Sequence, residues 1–325
     1  MTHRRMFLAA AAAGAILDGT AAIAQPPQYR VGWIAPGTMA EGLPILDALR
    51  DGLRGLGYVE SRNLIIDARW GDHSGPRVES LAADLVAAAP QVIVALGPTA
   101  MAVRRATTTL PVVFAFSGDP VQAGLVANFA QPGGNLTGIS FLALELVGKR
   151  IELLKAAMPG ARRIAIVASA QHPGDQAERH ASEAAAKAMG LEIEYFEAAG
   201  SAQLDRALEA IQKSRCDAVV MFPIQSIISN SARIAAWSIR NRIPAVSGWG
   251  QFAEEGNLMS YGAAMRESFQ RIATFVDRIL KGAKPAELPV ELPLHIELVI
   301  NLEAARRLGL AVPRSVILRA DKVIE

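Results

Sequence analysis

From Tyr29 onward the chain alternates short, nearly all-apolar runs with longer amphipathic ones. Residues 29–35 read as a strand, 43–56 as a helix closed by Gly57, 63–70 as a strand and 77–89 as a helix. Residues 91–96 and 111–116 are apolar strands flanking a short helix after Thr99. The pattern then recurs as helix 145–158, strand 163–168, helix 176–189, strand 191–196, helix 202–214 and strand 217–222. Strands this apolar, separated by helices, require parallel sheets covered on both faces.

The two halves echo one another. Leu56-Gly57-Tyr58 ends a helix and leads through a strand and a helix to Gln91-Val92-Ile93-Val94-Ala95-Leu96. Met189-Gly190-Leu191 leads in the same way to Asp217-Ala218-Val219-Val220-Met221-Phe222. The expected fold is therefore α/β, with two similar doubly wound lobes and a cleft between them. Small ligands of such sheets bind beyond the carboxyl ends of the strands, where helix N-termini present unpaired N–H groups. A length of 325 residues suits two domains.

The first two dozen residues read as an export signal. Arg4 and Arg5 precede an apolar run from Met6, and Ala22-Ile23-Ala24 supplies a small-x-small cleavage site. The apolar stretch is shorter than the ~20 residues that span a bilayer and is broken by Asp18. Arg4-Arg5-Met6-Phe7-Leu8 also has the form of a twin-arginine signal, so the export route stays open.

Several classes of function lose their support. Lys plus Arg number 33 against 31 Asp plus Glu, with no basic concentration of the kind that nucleic-acid binding needs. The single cysteine, Cys216, precludes an intramolecular disulfide and reads as a small core residue. No dinucleotide, P-loop, nucleophile-elbow or zinc-protease motif occurs, and the five histidines are scattered. No catalytic residue, metal or cofactor is expected.

The strand ends carry small, polar and aromatic groups instead. Gly97-Pro98-Thr99-Ala100 opens a helix, so Thr99 and the N–H groups at Ala100 are candidates either for helix capping or for holding a ligand carboxylate. Ser117 is a second candidate contact, beside Asp119, which reads as a cap before Pro120. Gln225 and Ser226, past the strand ending at Phe222, face these from the other lobe. Phe116, Phe141, Phe222, Trp249 and Phe252 fall at strand ends, where rings could enclose an apolar or aromatic ligand group. Trp33, Trp70 and Trp237 are left to packing.

Longer motifs resemble one family. They are Gly57-Tyr58-Val59-Glu60-Ser61-Arg62-Asn63-Leu64, Gly118-Asp119-Pro120-Val121-Gln122-Ala123-Gly124-Leu125-Val126 and Gln131-Pro132-Gly133-Gly134-Asn135-Leu136-Thr137-Gly138. Gly148-Lys149-Arg150, Leu258-Met259-Ser260-Tyr261-Gly262 and the tail from Glu297 to Glu325 extend the likeness over nearly the whole chain after the signal. Together they look like an ABC-transporter substrate-binding family that includes the tryptophan- and tyrosine-binding proteins.

The resemblance implies a type I periplasmic binding fold, two Rossmann-like lobes joined by three crossings near 137–141, 247–250 and 285–293. The first lobe would then comprise 25–139 and 249–287, and the second 140–248 and 288–325, with Gly248 and Gly250 as hinge glycines. The resemblance places ligand contacts at Thr99, Ser117 and the loop around Gln225, and with the strand-end candidates the expected set is Thr99, Ala100, Phe116, Ser117, Phe141, Gln225, Ser226 and Trp249. The implied protein is a periplasmic, non-catalytic monomer that docks on a membrane permease driven by a separate ATPase. A sensor presenting the same closed form to a receptor is the alternative, and an exported α/β enzyme a more distant one. An amino-acid ligand calls for an acid beside its ammonium, yet no acid occurs between Asp217 and Glu254. Unless Asp119 or Glu41 turns inward, an aromatic or apolar acid stands beside an aromatic or branched amino acid as the ligand.

Overall fold

The computed structural model describes residues 28–325 except 142, 171 and 173, together with the backbone alone at 143–145 and 225. The expected export signal lies outside the described residues.

The first sheet contains β1 (Tyr29–Ala35), β2 (Leu64–Trp70), β3 (Val92–Leu96), β4 (Val112–Phe116) and β5 (Leu136–Ser140), in the order β2-β1-β3-β4-β5. All four pairings are parallel. β3 and β4 are buried along their whole length, which is why their sequences show no polar alternation. The helices between them are α1 (Met39–Gly55), α2 (Gly75–Ala87) and α3 (Thr99–Ala106). α1 starts four residues earlier than its apolar periodicity suggests. Thr38 accepts the Glu41 N–H and Glu41 accepts the Thr38 N–H, a reciprocal cap that sustains a first turn ahead of Pro44.

The second sheet is built around α4 (Ala143–Ala157), β6 (Arg163–Ala168), α5 (Asp175–Ala188), β7 (Glu192–Glu197), α6 (Ser201–Lys213), β8 (Ala218–Met221), α7 (Gln225–Ile228), α8 (Ser231–Asn241) and β9 (Ala245–Ser247). It continues with α9 (Gly250–Glu254), β10 (Met259–Ala263), β11 (Ile296–Asn301), α11 (Leu302–Leu308), α12 (Arg314–Ile317) and β12 (Lys322–Ile324). α10 (Met265–Leu280) lies between β10 and β11 in the chain. The strand order is β12-β11-β10-β9-β8-β6-β7, parallel except where β10 meets β11. β7 is one of the two edge strands, and its exposed Glu192, Glu194 and Glu197 guard it.

The second crossing differs from the expected one. β10 is hydrogen-bonded within the second sheet, whereas α10 packs on the first lobe through Phe269, Ile272, Ala273, Val276 and Ile279 at helical spacing. The chain therefore changes lobes at Ala263–Met265, not at 247–250. Residues 249–263 belong with the second sheet. After α10, Leu288 and Val290 still pack in the first lobe. Glu291 bonds to the β5 backbone on both sides, donating to Gly138 O and accepting from Ser140 N. The chain passes over only after Glu291.

Gly248 and Gly250 are consequently not hinge residues. A Cβ on Gly248 would lie 2.7 Å from Pro223 and 2.8 Å from the Arg150 guanidinium, and one on Gly250 would press on Glu297. Both are glycines because second-lobe side chains approach their backbone closely.

Candidate functional site

A cavity with about 850 Å³ of empty space, its open mouth included, lies between the carboxyl ends of the strands of both sheets. The first lobe contributes the segments after β1, β3 and β4, at Pro36-Gly37-Thr38, Gly97-Pro98 and Ser117, with Met265 and Phe269 of α10. The second lobe contributes the segments after β6, β7 and β8, at Ser169, His172, Ala199, Pro223 and Ile224, with Trp249. The lobes are in contact at its rim, where a Cβ on Gly174 would lie 3.3 Å from Gly118 Cα.

Four of the residues singled out from sequence line this cavity: Ser117, Phe141, Ser226 and Trp249. Phe141 packs against Phe269 with ring centroids 6.3 Å apart, so one ring from the lobe junction and one from α10 form an aromatic corner. Trp249 comes from the second lobe, a consequence of the later crossing. Gln225 opens α7 beside Ser226, but its side chain lies outside the described residues.

Three others are placed elsewhere. Thr99 is fully buried and neither caps α3 nor lines the cavity. Its hydroxyl is shared between Leu96 O at 2.9 Å and Ile34 O at 3.1 Å, tying β3 to β1. Ala100 is buried in the first-lobe core. Phe116 packs in the same core, edge-to-face on Phe114, and reaches only a second groove, which adjoins the cavity at Pro36, His73, Pro98 and His172. Phe222 and Phe252 are likewise fully buried core.

Two histidines, set aside on sequence because their spacing suits no metal, stand in the cavity wall, one from each lobe. His73 follows β2 and its Nε2 is 2.8 Å from Glu41 Oε2. Both His73 and the preceding Asp72 adopt the left-handed backbone, with φ of 59° and 49°. That conformation costs a non-glycine residue on the order of 1 kcal/mol and aims the loop into the cleft. The bond to Glu41 raises the imidazole above its ordinary range despite burial, with the Glu41 and Asp72 charges adding to it. Burial would raise Glu41, but bonds from His73 and Thr38 outweigh it and hold the carboxyl low.

His172 follows β6, and its Nε2 is 2.7 Å from Oε1 of Glu178, which is wholly buried on α5. Arg150 of α4 is 1% exposed, and its Nε donates to Tyr261 O at 2.8 Å. Burial lowers this guanidinium to about 10, against the opposing charge of Glu178, so it stays cationic at neutral pH. Neither histidine could be found from a local motif, because the carboxylates that orient them arrive from other helices. Among the described residues no group of three or more His, Cys, Asp or Glu is disposed to hold a metal. Burial pushes the Cys216 thiol up, in keeping with a core residue.

Asp119 and Glu41, the acids that sequence offered as partners for a ligand ammonium, are otherwise engaged. Asp119 Oδ1 accepts the Val121 and Gln122 N–H groups, and the residue lines the adjoining second groove. Glu41 bonds to His73 and lines a groove with Pro44 and Gln270 that shares Ile45, Trp249, Met265 and Phe269 with the cavity.

Two α/β lobes whose strand ends converge on a largely apolar cleft define a bilobal small-molecule binding protein of the type I periplasmic binding fold. The chain belongs to the ABC transporter substrate binding protein family, whose model matches residues 42–324. Proteins of this family bind small ligands outside the cytoplasm and work with a membrane permease; they are not enzymes.

A tyrosine-binding protein of Clostridioides difficile (strain R20291) is 24% identical over 273 residues, which cover 82% of this chain and 78% of that protein. A conserved domain protein from Vibrio cholerae superposes with a TM-score of 0.84 at 28% identity, over 91% of this chain and 99% of that one. An ABC domain from Streptococcus pneumoniae, solved in complex with L-Trp, gives a TM-score of 0.82 at 25% identity, over 91% of this chain and all of that one.

Proposed function

We propose that the chain is the ligand-capturing component of an ABC importer, exported by cleavage after Ala24 and acting as a monomer. It would trap a small carboxylate-bearing ligand, either an aromatic or branched amino acid or an aromatic or apolar acid. The observation that carries this reading is the cavity shared by both lobes at the strand ends. A ligand touching Ser117 and Phe141 on one side and Ser226 and Trp249 on the other favours closure by its differential affinity for the closed state. The ligand carboxylate is assigned to the first-lobe side, near the N-terminus of α3 at Pro98 and beside Ser117. The rings of Phe141, Phe269 and Trp249 take the apolar part. The Tyr- and Trp-binding relatives support the size and character of such a ligand. The loaded, closed form docks on a permease whose separate ATPase supplies the energy.

Native mass spectrometry of gently purified protein tests the reading by looking for a retained small molecule. Small-angle scattering during titration with that molecule should show a falling radius of gyration. Saturable binding with no change in radius would remove the closure mechanism. Chemical conversion of the bound molecule would remove the carrier assignment altogether.

A further inference from the structure

Two wholly buried charged side chains of the second lobe have no part in the binding reading above. Glu178 of α5 and Arg150 of α4 are 0% and 1% exposed, and the charge of Glu178 favours the guanidinium. They are a poor device for stability. Arg150 Nη1 and Glu178 Oε2 are both buried without a hydrogen-bond partner among the described residues. A buried ion pair left part-satisfied is commonly no better than apolar side chains of the same shape, so its presence calls for another reason.

His172 supplies that reason. It is buried yet lines the cavity, and its Nε2 lies 2.7 Å from Glu178 Oε1, so this N–H is turned back into the lobe. The Phe222 ring flanks the imidazole at 6.4 Å between centroids. The backbone is held as well, with His172 N donating to Ser169 O at 2.8 Å and Asp175 N donating to His172 O at 3.1 Å. With the ring set in this way, its Nδ1 edge is left with no partner among the described residues. That edge offers a ligand one polar atom in either charge state, an acceptor on the neutral ring and a donor on the protonated one.

His172 also lines the second groove, at its junction with the cavity, where Pro36, His73 and Pro98 come from the first lobe. Gly174, two residues further on, is the residue that touches Gly118 of the first lobe, and a Cβ on it would lie 3.8 Å from Glu178 Oε1. The buried carboxylate therefore sits directly under the point where the lobes meet. A polar ligand group at the junction is reached by the α3 end of the first lobe and by His172 of the second.

Resting on the carrier reading above, we propose that His172 is the second lobe's contact to the polar head of the ligand, and that Glu178 is its positioning residue, setting the ring from within the core without touching the ligand.

Long-range 1H–15N correlation spectra of the purified protein labelled at histidine test the contact, with L-tryptophan, L-tyrosine, L-leucine and 3-indolepropionate as probes and a His172→Asn variant to assign the ring. Saturation with a probe that binds should shift the His172 Nδ1 resonance. An unmoved Nδ1 under a saturating probe overturns the proposal and leaves the carrier reading intact. Failure of all four probes to bind overturns the carboxylate-ligand reading and the proposal with it. Two double variants test the positioning. Arg150→Met with Glu178→Leu removes the acceptor for Nε2 without stranding a charge and should weaken binding of that probe about tenfold. Arg150→Met with Glu178→Gln keeps an acceptor for Nε2 and should recover most of the loss. Equal affinity in the two folded variants removes Glu178 from the site, and the Nδ1 shift of the unaltered protein decides the contact even where a variant does not fold.

Discussion

Tyr58 donates its hydroxyl to Asp277 Oδ1 at 2.9 Å, a buried bond between residues 219 positions apart. Tyr58 follows α1, and Asp277 lies on α10, the helix that returns to the first lobe after the chain has built most of the second sheet. Burial and the adjacent carboxylate hold the phenol far above its ordinary range. Tyr58→Phe leaves Asp277 to Lys281, 2.8 Å away and largely exposed. The expected loss is about 1–3 kcal/mol, seen as a lower urea midpoint at constant slope. An unchanged midpoint would show that the bond contributes nothing net.

Gly174 meets Gly118 across the rim of the cleft, and its φ of 93° is one that a side chain rarely adopts. Gly174→Ala adds both backbone strain and a Cβ against the opposite lobe. Closure should weaken, so the variant's scattering curve with ligand would stay near that of the free protein and its affinity would fall about tenfold. Wild-type closure in this variant would mean that the rim contact does not hold the lobes together.

Arg150 is a buried cation of pKa about 10 that the charge of Glu178 favours. Arg150→Met removes the charge but leaves Glu178 buried, at an expected cost of about 3–5 kcal/mol. Adding Glu178→Gln removes the stranded carboxylate and should restore part of that loss. A double variant as unstable as the sum of the singles would argue that the two groups do not interact.

The His73–Glu41 pair makes stability depend on pH. Because the Glu41 bond raises the His73 value above 6.5, its contribution is complete below 6.5 and disappears as pH rises through the folded value. The Glu41 share runs the other way, present above 4.5 and lost as acid titrates its lowered folded value. The stability gap between wild type and His73→Gln should therefore be wider at about pH 6 than at about pH 9. Its size should be on the order of 1 kcal/mol, since the imidazole is partly exposed. Chemical denaturation at the two pH values measures it, and a gap that is the same at both would refute the linkage.

Alternation alone decided the class of fold. Val92–Leu96 and Val112–Phe116 have no polar face to show to water, so only covered parallel strands can hold them, and the helices between supply the cover. The cleft at the carboxyl ends follows from the same topology, and with it the positions of Ser117, Phe141, Ser226 and Trp249 near a ligand.

What the tertiary structure decided was direction and partnership. Thr99 and Ser117 both lie just past the end of a strand, yet the Thr99 hydroxyl is consumed by the Ile34 and Leu96 carbonyls while Ser117 lines the cavity. β10, Met259-Ser260-Tyr261-Gly262-Ala263, carries no local mark of which sheet it joins, and its antiparallel ladder with β11, from Met259 opposite Ile300 to Ala263 opposite Ile296, settled the matter. His73 and His172 gain their role from Glu41 and Glu178, carried in by neighbouring helices. Local sequence encodes what a segment buries, through periodicity. Which distant group a polar atom meets depends on how the elements cross, and that is determined only when the whole chain closes on itself.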